Sequence, residues 1–206
     1  MPTSQPTSVA KAAETVNHRT ADFDIAALFL NRWSPRAFSG QEVSEELLMS
    51  VLEAARWAPS GSNEQPWRFI VARTQEQRER FHSFINEFNL AWCHKAPVLI
   101  VVGSEKVSST GKPSPSHAFD AGTAWGYLAL QAMMNGLVSH AMGGFDKAKA
   151  RETLRVPDSI ELHAVVALGY QGDRDELPER YREREQPNSR KPLQETIVMG
   201  SFPVNS

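Results

Sequence analysis

The chain has 206 residues, 41% of them hydrophobic and 22% charged, with a formal net charge of -2. That length and balance suit one domain with a sizeable core. The charge leaves no basic excess for a phosphate backbone, so nucleic acid is not an expected partner. A single cysteine, Cys93, excludes an intramolecular disulfide and argues against a cysteine-based zinc site. It reads as a small packed side chain rather than a nucleophile.

In chain order, the first residues are rich in Ser, Thr, Ala and Pro and hold no apolar run of signal-peptide length. Residues 1–20 are expected to form a flexible tail ahead of a single domain over 21–206. Ile25, Leu28 and Phe29 share one face of a predicted helix over Asp24–Asn31, which breaks before Pro35. Ser44 is placed to cap a second helix, with an apolar stripe of Leu47, Leu48, Val51, Leu52 and Ala55. A strand over Trp67–Ala72 follows, then a helix from Gln75 to about Leu90 with Phe81, Phe84, Ile85 and Phe88 facing the core. The β-branched run Pro97–Val102 predicts a fully buried strand.

Ser104–His117, with Gly111, Pro113 and Pro115, reads as a loop. The apolar stretch Ala118–Val138 is broken by Asp120, Gln131 and Asn135, so it reads as a buried central helix rather than a bilayer span of about 20 apolar residues. Leu137–Met142 predicts a short strand ending at Gly143-Gly144, Asp146 a helix cap, and Leu162–Gly169 another strand. Within the charged segment Asp173–Arg190, residues Glu179–Glu185 read as a solvated face. Ile197–Met199 is expected to form a strand against a partner chain. The whole predicts an α+β domain, a mixed central sheet flanked by helices, in a cytoplasmic protein with no membrane partner.

Three clusters suggest chemistry. Arg32, Ser34 and Arg36 set two guanidinium groups around a hydroxyl at a helix break, which suits a phosphate; a solvated helix end fits the same spacing. Pro59, Ser60, Asn63 and Gln65 lie in a turn dense in neutral donors and acceptors, as a heterocycle requires, although ordinary turns favour these residues too. Gly143 and Gly144, ahead of the Asp146 cap, let the backbone approach a flat ligand, or form a plain loop. The dinucleotide, phosphate-loop and nucleophile-elbow fingerprints are absent. The six histidines, His18, His82, His94, His117, His140 and His163, show no ligand spacing and read as surface or core residues.

Taken in order, these clusters resemble the nitroreductase family, from about Leu30 to Leu193. Asn31–Phe38 is similar to the family's opening Arg-x-Ser-x-Arg/Lys-x-Phe motif, and Ala58–Trp67 to its Ala-Pro-Ser-x-x-Asn-x-Gln-Pro-Trp motif. Asp120–Gly136, Leu162–Gly169 and Arg190–Leu193 resemble its central helix, late strand and C-terminal basic motif.

The resemblance implies a homodimer with an FMN at each of two interface sites and a C-terminal extension exchanged between subunits. Arg32, Ser34 and Arg190 would hold the FMN phosphate, and Arg36 would lie at the pyrimidine edge of the flavin. Pro59, Ser60 and Asn63, with Gln65 as a further contact, would reach the flavin from the partner chain. Gly143 and Gly144 would bring backbone N–H groups to the N5 region. NADH or NADPH would supply two electrons by a ping-pong route to nitroaromatics, quinones or a small unsaturated or carbonyl acceptor. No side chain is nominated as acid or base, because the cofactor carries the chemistry. Dehalogenation, peptide oxidation and flavin fragmentation are other reactions of the same scaffold, and a non-catalytic flavin-binding protein is a further alternative. Gly143 stands where well-known members have Glu, and the 104–117 segment is short where larger members insert a substrate lid.

Overall fold

The computed structural model describes residues 17–202; the start of the expected tail lies outside them. Seven α-helices are described: α1 Ala27–Asn31, α2 Glu45–Arg56, α3 Gln75–His82, α4 Glu87–Cys93, α5 His117–Met134, α6 Lys147–Leu154 and α7 Glu179–Arg182. The strands are β1 Trp67–Ala72, β2 Val98–Glu105, β3 Val138–Met142 and β4 Ile160–Gly169. They form one sheet in the order β1-β2-β4-β3. Every pairing is antiparallel, Trp67 opposite Ser104, Val98 opposite Leu168 and Val138 opposite Gly169. The α+β class therefore holds, but the described sheet is antiparallel rather than mixed.

Side chains alternate across β2, as the pleat requires. Leu99 and Val101 join Phe38, Phe81, Phe84, Trp92 and Tyr181 on one face. Val98, Ile100 and Val102 join Leu48, Val51, Ala124 and Leu128, from α2 and α5, on the other. The fully buried strand read from sequence is present and runs three residues further, to Glu105.

That extension carries a β-bulge, with the β2–β4 register shifting between Val102 and Gly103. Gly103 fits this crowded position, since a Cβ there would lie 2.9 Å from the Glu161 carbonyl oxygen. The shift skips His163 in the pairing and brings the buried Ser104 hydroxyl to 2.6 Å from His163 Nε2 and 2.7 Å from His117 Nδ1. Ser104 is thus a strand residue, not the first of a loop, and two of the scattered histidines meet on it.

The single helix expected over 75–90 is two. Thr74 and Gln77 form a capping box that starts α3. Ile85 then bridges to Phe145, and the Asn86 side chain accepts the Asn89 N–H to start α4. The break turns Phe88 outward, 52% exposed, against Tyr181. Glu179–Glu185 is not a solvated face throughout, since Tyr181 and Glu185 are both buried. Ile197–Met199 forms no strand within this chain; with Phe202 it stands exposed. Among the described residues, no helix is long and apolar enough to cross a membrane.

Candidate functional site

Arg32 ends α1. Its N–H reaches the Leu28 carbonyl while its ψ of 122° turns the chain extended, and Pro35 keeps Ser34 extended as well. Arg32 and Ser34 point the same way, with Arg32 Nη1 donating to Ser34 Oγ at 3.2 Å. Beyond them the backbone is pinned twice. The buried Glu185 Oε1 accepts the N–H groups of Arg36 at 2.7 Å and Ala37 at 2.8 Å. The Ala37 carbonyl accepts the Gly172 N–H at 2.9 Å.

Burial raises the Glu185 carboxyl above the usual range, against the pull of those two N–H groups. Its Oε2 is buried without a partner among the described residues. His140, on β3, donates from Nδ1 to the Pro35 carbonyl at 3.0 Å and packs on Trp92 with ring centroids 4.5 Å apart. Burial drives its imidazole down to about 4, so the ring is neutral at physiological pH.

Arg32, Ser34, Arg36 and His140 line a cavity of about 920 Å³, together with residues of the segment from Glu183 to Arg190. Five arginines, Arg19, Arg32, Arg36, Arg184 and Arg190, line it against one acidic residue, Glu183. Burial, and then the nearby Arg190 charge, lowers the Arg32 pKa. A site that crowds cations in this way is suited to a multiply charged anion. An adjoining cleft of about 510 Å³ shares Arg32 and Ser34 and runs along Trp125, Gly126 and Ala129 of α5 to Ala141 of β3. Away from Arg32 and Ser34 its walls are apolar, with Phe29, Trp125 and Leu130 beside the small Gly126, Ala129 and Ala141, in contrast to the cationic cavity.

The second cluster is a strained turn. Ser62, Asn63 and Gln65 have φ of 51°, 57° and 49°, three of the four non-glycine residues with left-handed backbone among those described. Such positions cost about 1–3 kcal/mol each and persist only where surroundings impose them. Here the buried Asp120 Oδ2 accepts the Gly61 N–H at 3.2 Å and the Ser116 hydroxyl at 3.0 Å. Ser60 Oγ accepts the Gln65 N–H at 3.0 Å. The Glu64 carboxylate takes both the N–H and the hydroxyl of Ser109, at 2.8 and 2.9 Å. The 106–116 loop is therefore clasped onto the turn, leaving Pro59, Asn63 and Gln65 exposed.

Within one chain this turn and the arginine cavity are separate. The turn rests on Asp120, near the start of α5, and none of Pro59, Ser60, Asn63 or Gln65 lines the arginine cavity or the cleft beside Arg32. Gly143 and Gly144 follow β3 just beyond Ala141. Gly143 has nothing within 4 Å of a notional Cβ, and the Gly144 carbonyl accepts Asn86 N–H and Asn89 Nδ2, each at 3.2 Å. The sequence reading thus brought together Arg32, Ser34, Arg36 and Arg190, and missed Arg19, Asp120, His140 and Glu185. Of these, Asp120 had a signal: a carboxylate inside an apolar helix needs buried partners.

The nitroreductase family model matches residues 30–91 and 82–170, most of the chain. The chain belongs to the nitroreductase family. A family relative from Thermus thermophilus, named an NADH dehydrogenase, is 30% identical over 85% of this chain and 95% of its own length. A solved structure described as an oxidoreductase containing FMN is 41% identical, with a TM-score of 0.87 over 94% of this chain and all of its own. A nitroreductase family protein from Clostridium difficile is 28% identical, with a TM-score of 0.69 over 87% of this chain. As a nitroreductase-family member with these relatives, the chain is an oxidoreductase.

Proposed function

We propose that this nitroreductase-family chain is an FMN-dependent enzyme that moves two electrons from NADH or NADPH to nitroaromatics, quinones or a small unsaturated or carbonyl acceptor. The observation that carries the reading is the convergence of Arg32, Ser34, Arg36 and Arg190 on one cation-rich cavity that adjoins a largely apolar cleft. That donor set fits FMN: guanidinium and hydroxyl donors for its phosphate, and an adjoining apolar cleft for its flat part. The FMN-containing relative supports the assignment.

Bound FMN would supply hydride acceptance and donation, chemistry no side chain here can perform. The chain's residues would do the rest. Arg32 and Arg190 would neutralise the phosphate, and Ser34 would donate a hydrogen bond to it. Arg36, its backbone fixed by Glu185, presents positive charge where negative charge gathers on reduction. Gly143 and Gly144 offer backbone N–H groups at the end of β3. Pro59, Ser60, Asn63 and Gln65 complete the site from a second subunit, which accounts for their distance from the arginines within one chain. A homodimer is further supported by apolar surface on α5, where Phe119, Tyr127 and Met134 are exposed, and by the exposed tail Ile197–Phe202. Its exchange with a partner would cover that surface. Use of a soluble nicotinamide fits a cytoplasmic setting. The clasped 106–116 loop leaves the site open to acceptors of varied shape, and both half-reactions would share one face in ping-pong order.

The purified protein is expected to be yellow and to bleach anaerobically with NADH or NADPH. Addition of a nitroaromatic or quinone then restores the colour, with parallel-line kinetics. Colourless protein that refuses added FMN would overturn the reading.

A further inference from the structure

We infer that Arg19 is a further phosphate-binding residue of the same cavity, reaching in from the segment ahead of the family motifs. The inference rests on the FMN reading above. Arg19 precedes the family-matched region, which begins at residue 30, yet it lines the cavity with Arg32, Ser34 and Arg190. Its guanidinium is held at two of its three nitrogens. Nε donates to the Asn188 carbonyl at 2.6 Å, and Nη1 donates to the carbonyls of Leu30 at 3.0 Å and Arg32 at 2.7 Å. Nη2 makes no hydrogen bond to any described residue, so its N–H groups are available to a ligand.

The segment is braced as well. Asn17 Nδ2 donates to the Leu30 carbonyl at 3.1 Å and to Asn31 Oδ1 at 2.9 Å, and Asn17 Oδ1 accepts the Arg19 N–H at 3.1 Å. Residues 17–19 are thus tied to the stretch bearing Arg32 and, through Asn188, to the stretch bearing Arg190.

Physics favours a ligand role over a purely structural strap. Three carbonyls could be tied by neutral donors, whereas here a cation is placed beside Arg32 and Arg190. Its pKa is lowered by burial and then by those two neighbours. No carboxylate pairs with Arg19, Arg32 or Arg190 within 4 Å among the described residues. A phosphate monoester dianion relieves all three at once, and an oriented guanidinium meets it with little further ordering.

The test is a titration of apoprotein with FMN and with riboflavin, which lacks the phosphate, for wild type, Arg19→Ala and Arg19→Lys. Arg19→Ala is expected to weaken FMN about 10- to 100-fold, to leave riboflavin affinity unchanged and to flatten the salt dependence of FMN binding. Arg19→Lys should recover part of the loss. Equal weakening of FMN and riboflavin, or a loss of FMN affinity with an unaltered salt slope, would reduce Arg19 to a brace and overturn the inference. So would an unchanged FMN affinity with a raised KM for NADPH but not NADH, which places the phosphate on the nicotinamide. Wild-type protein that binds no FMN would instead sink the underlying reading. If wild type binds and Arg32→Ala does not, while Arg19→Ala binds like wild type, only the Arg19 assignment falls.

Discussion

Glu185 Oε1 lies 2.7 Å from the backbone nitrogen of Arg36, 149 residues earlier in the chain. The carboxylate fixes the main chain under the guanidinium and leaves the arginine head free to face the cavity. Glu185 therefore acts as a positioning residue.

Removing its acceptor should be costly. Glu185→Ala leaves the half-buried Arg36 N–H and the buried Ala37 N–H without their acceptor, for an expected loss of about 2–4 kcal/mol. Glu185→Gln keeps an acceptor oxygen and removes a desolvated charge, so it should stay within about 1 kcal/mol of wild type. Urea unfolding at pH 8 separates the two; equal loss in both variants would mean that the charge itself matters.

The pH dependence of stability follows from His140. Its folded pKa of about 4 lies below its ordinary value of 6.5. Between those values the unfolded chain binds a proton that the folded chain does not, so stability is complete above about pH 6.5 and falls as pH drops toward 4. The shift corresponds to at most about 3 kcal/mol. Glu185, raised in the fold, has the opposite sign, its carboxylate penalty being relieved by acid. His140→Gln keeps a donor for the Pro35 carbonyl without a titrating ring, and should flatten the loss between pH 7 and 4.5 in chemical unfolding.

Asp120 should control the amide-bearing turn. Asp120→Ala strands the Gly61 N–H and the Ser116 hydroxyl and is expected to cost about 1–3 kcal/mol. It should also speed protease cleavage near residues 60–65. Both contacts fall on one oxygen, which Asn supplies equally, so Asp120→Asn should resemble wild type in both assays. Unchanged cleavage in Asp120→Ala would show that the turn holds its left-handed residues without this anchor.

Two glycines should behave oppositely. A Cβ on Gly172 would lie 2.5–2.7 Å from backbone atoms of Phe38 and Ser39, none of which can swing aside. Gly172→Ala is expected to lose about 1–3 kcal/mol through overpacking and to disturb the adjoining Arg36 stretch. Gly143 faces open space, so Gly143→Ala should change stability by less than about 0.5 kcal/mol. Thermal unfolding of the pair provides the comparison.

Much of the fold was legible from local pattern. The strand over Trp67–Ala72 matched residue for residue, and the Ser44 and Asp146 caps formed where their side chains predicted. Four of the ten expected site residues meet in one cavity because their motifs sit at chain breaks that proline and helix ends dictate. What escaped depends on distant partners. The split at Asn86 needs the Gly144 carbonyl, and nothing within the Glu179–Glu185 charge run marks Glu185 as the residue that turns inward. The orientation of strand pairs is likewise a long-range property, so a mixed sheet could not be told from an antiparallel one. Arg19 was hidden for another reason: its neighbours suggest a tail, and only the fold reveals the three carbonyls that hold it.

The bulge beside Gly103 has a stereochemical consequence for the two histidines it gathers. A serine hydroxyl owns a single hydrogen, and the Ser104 oxygen contacts a ring nitrogen on each side. Whichever imidazole receives that hydrogen, the other has to bring its own. When the hydroxyl donates to either ring, the tautomer of His117, on the first turn of a helix, is tied to that of His163, on a strand 46 positions away, across one oxygen.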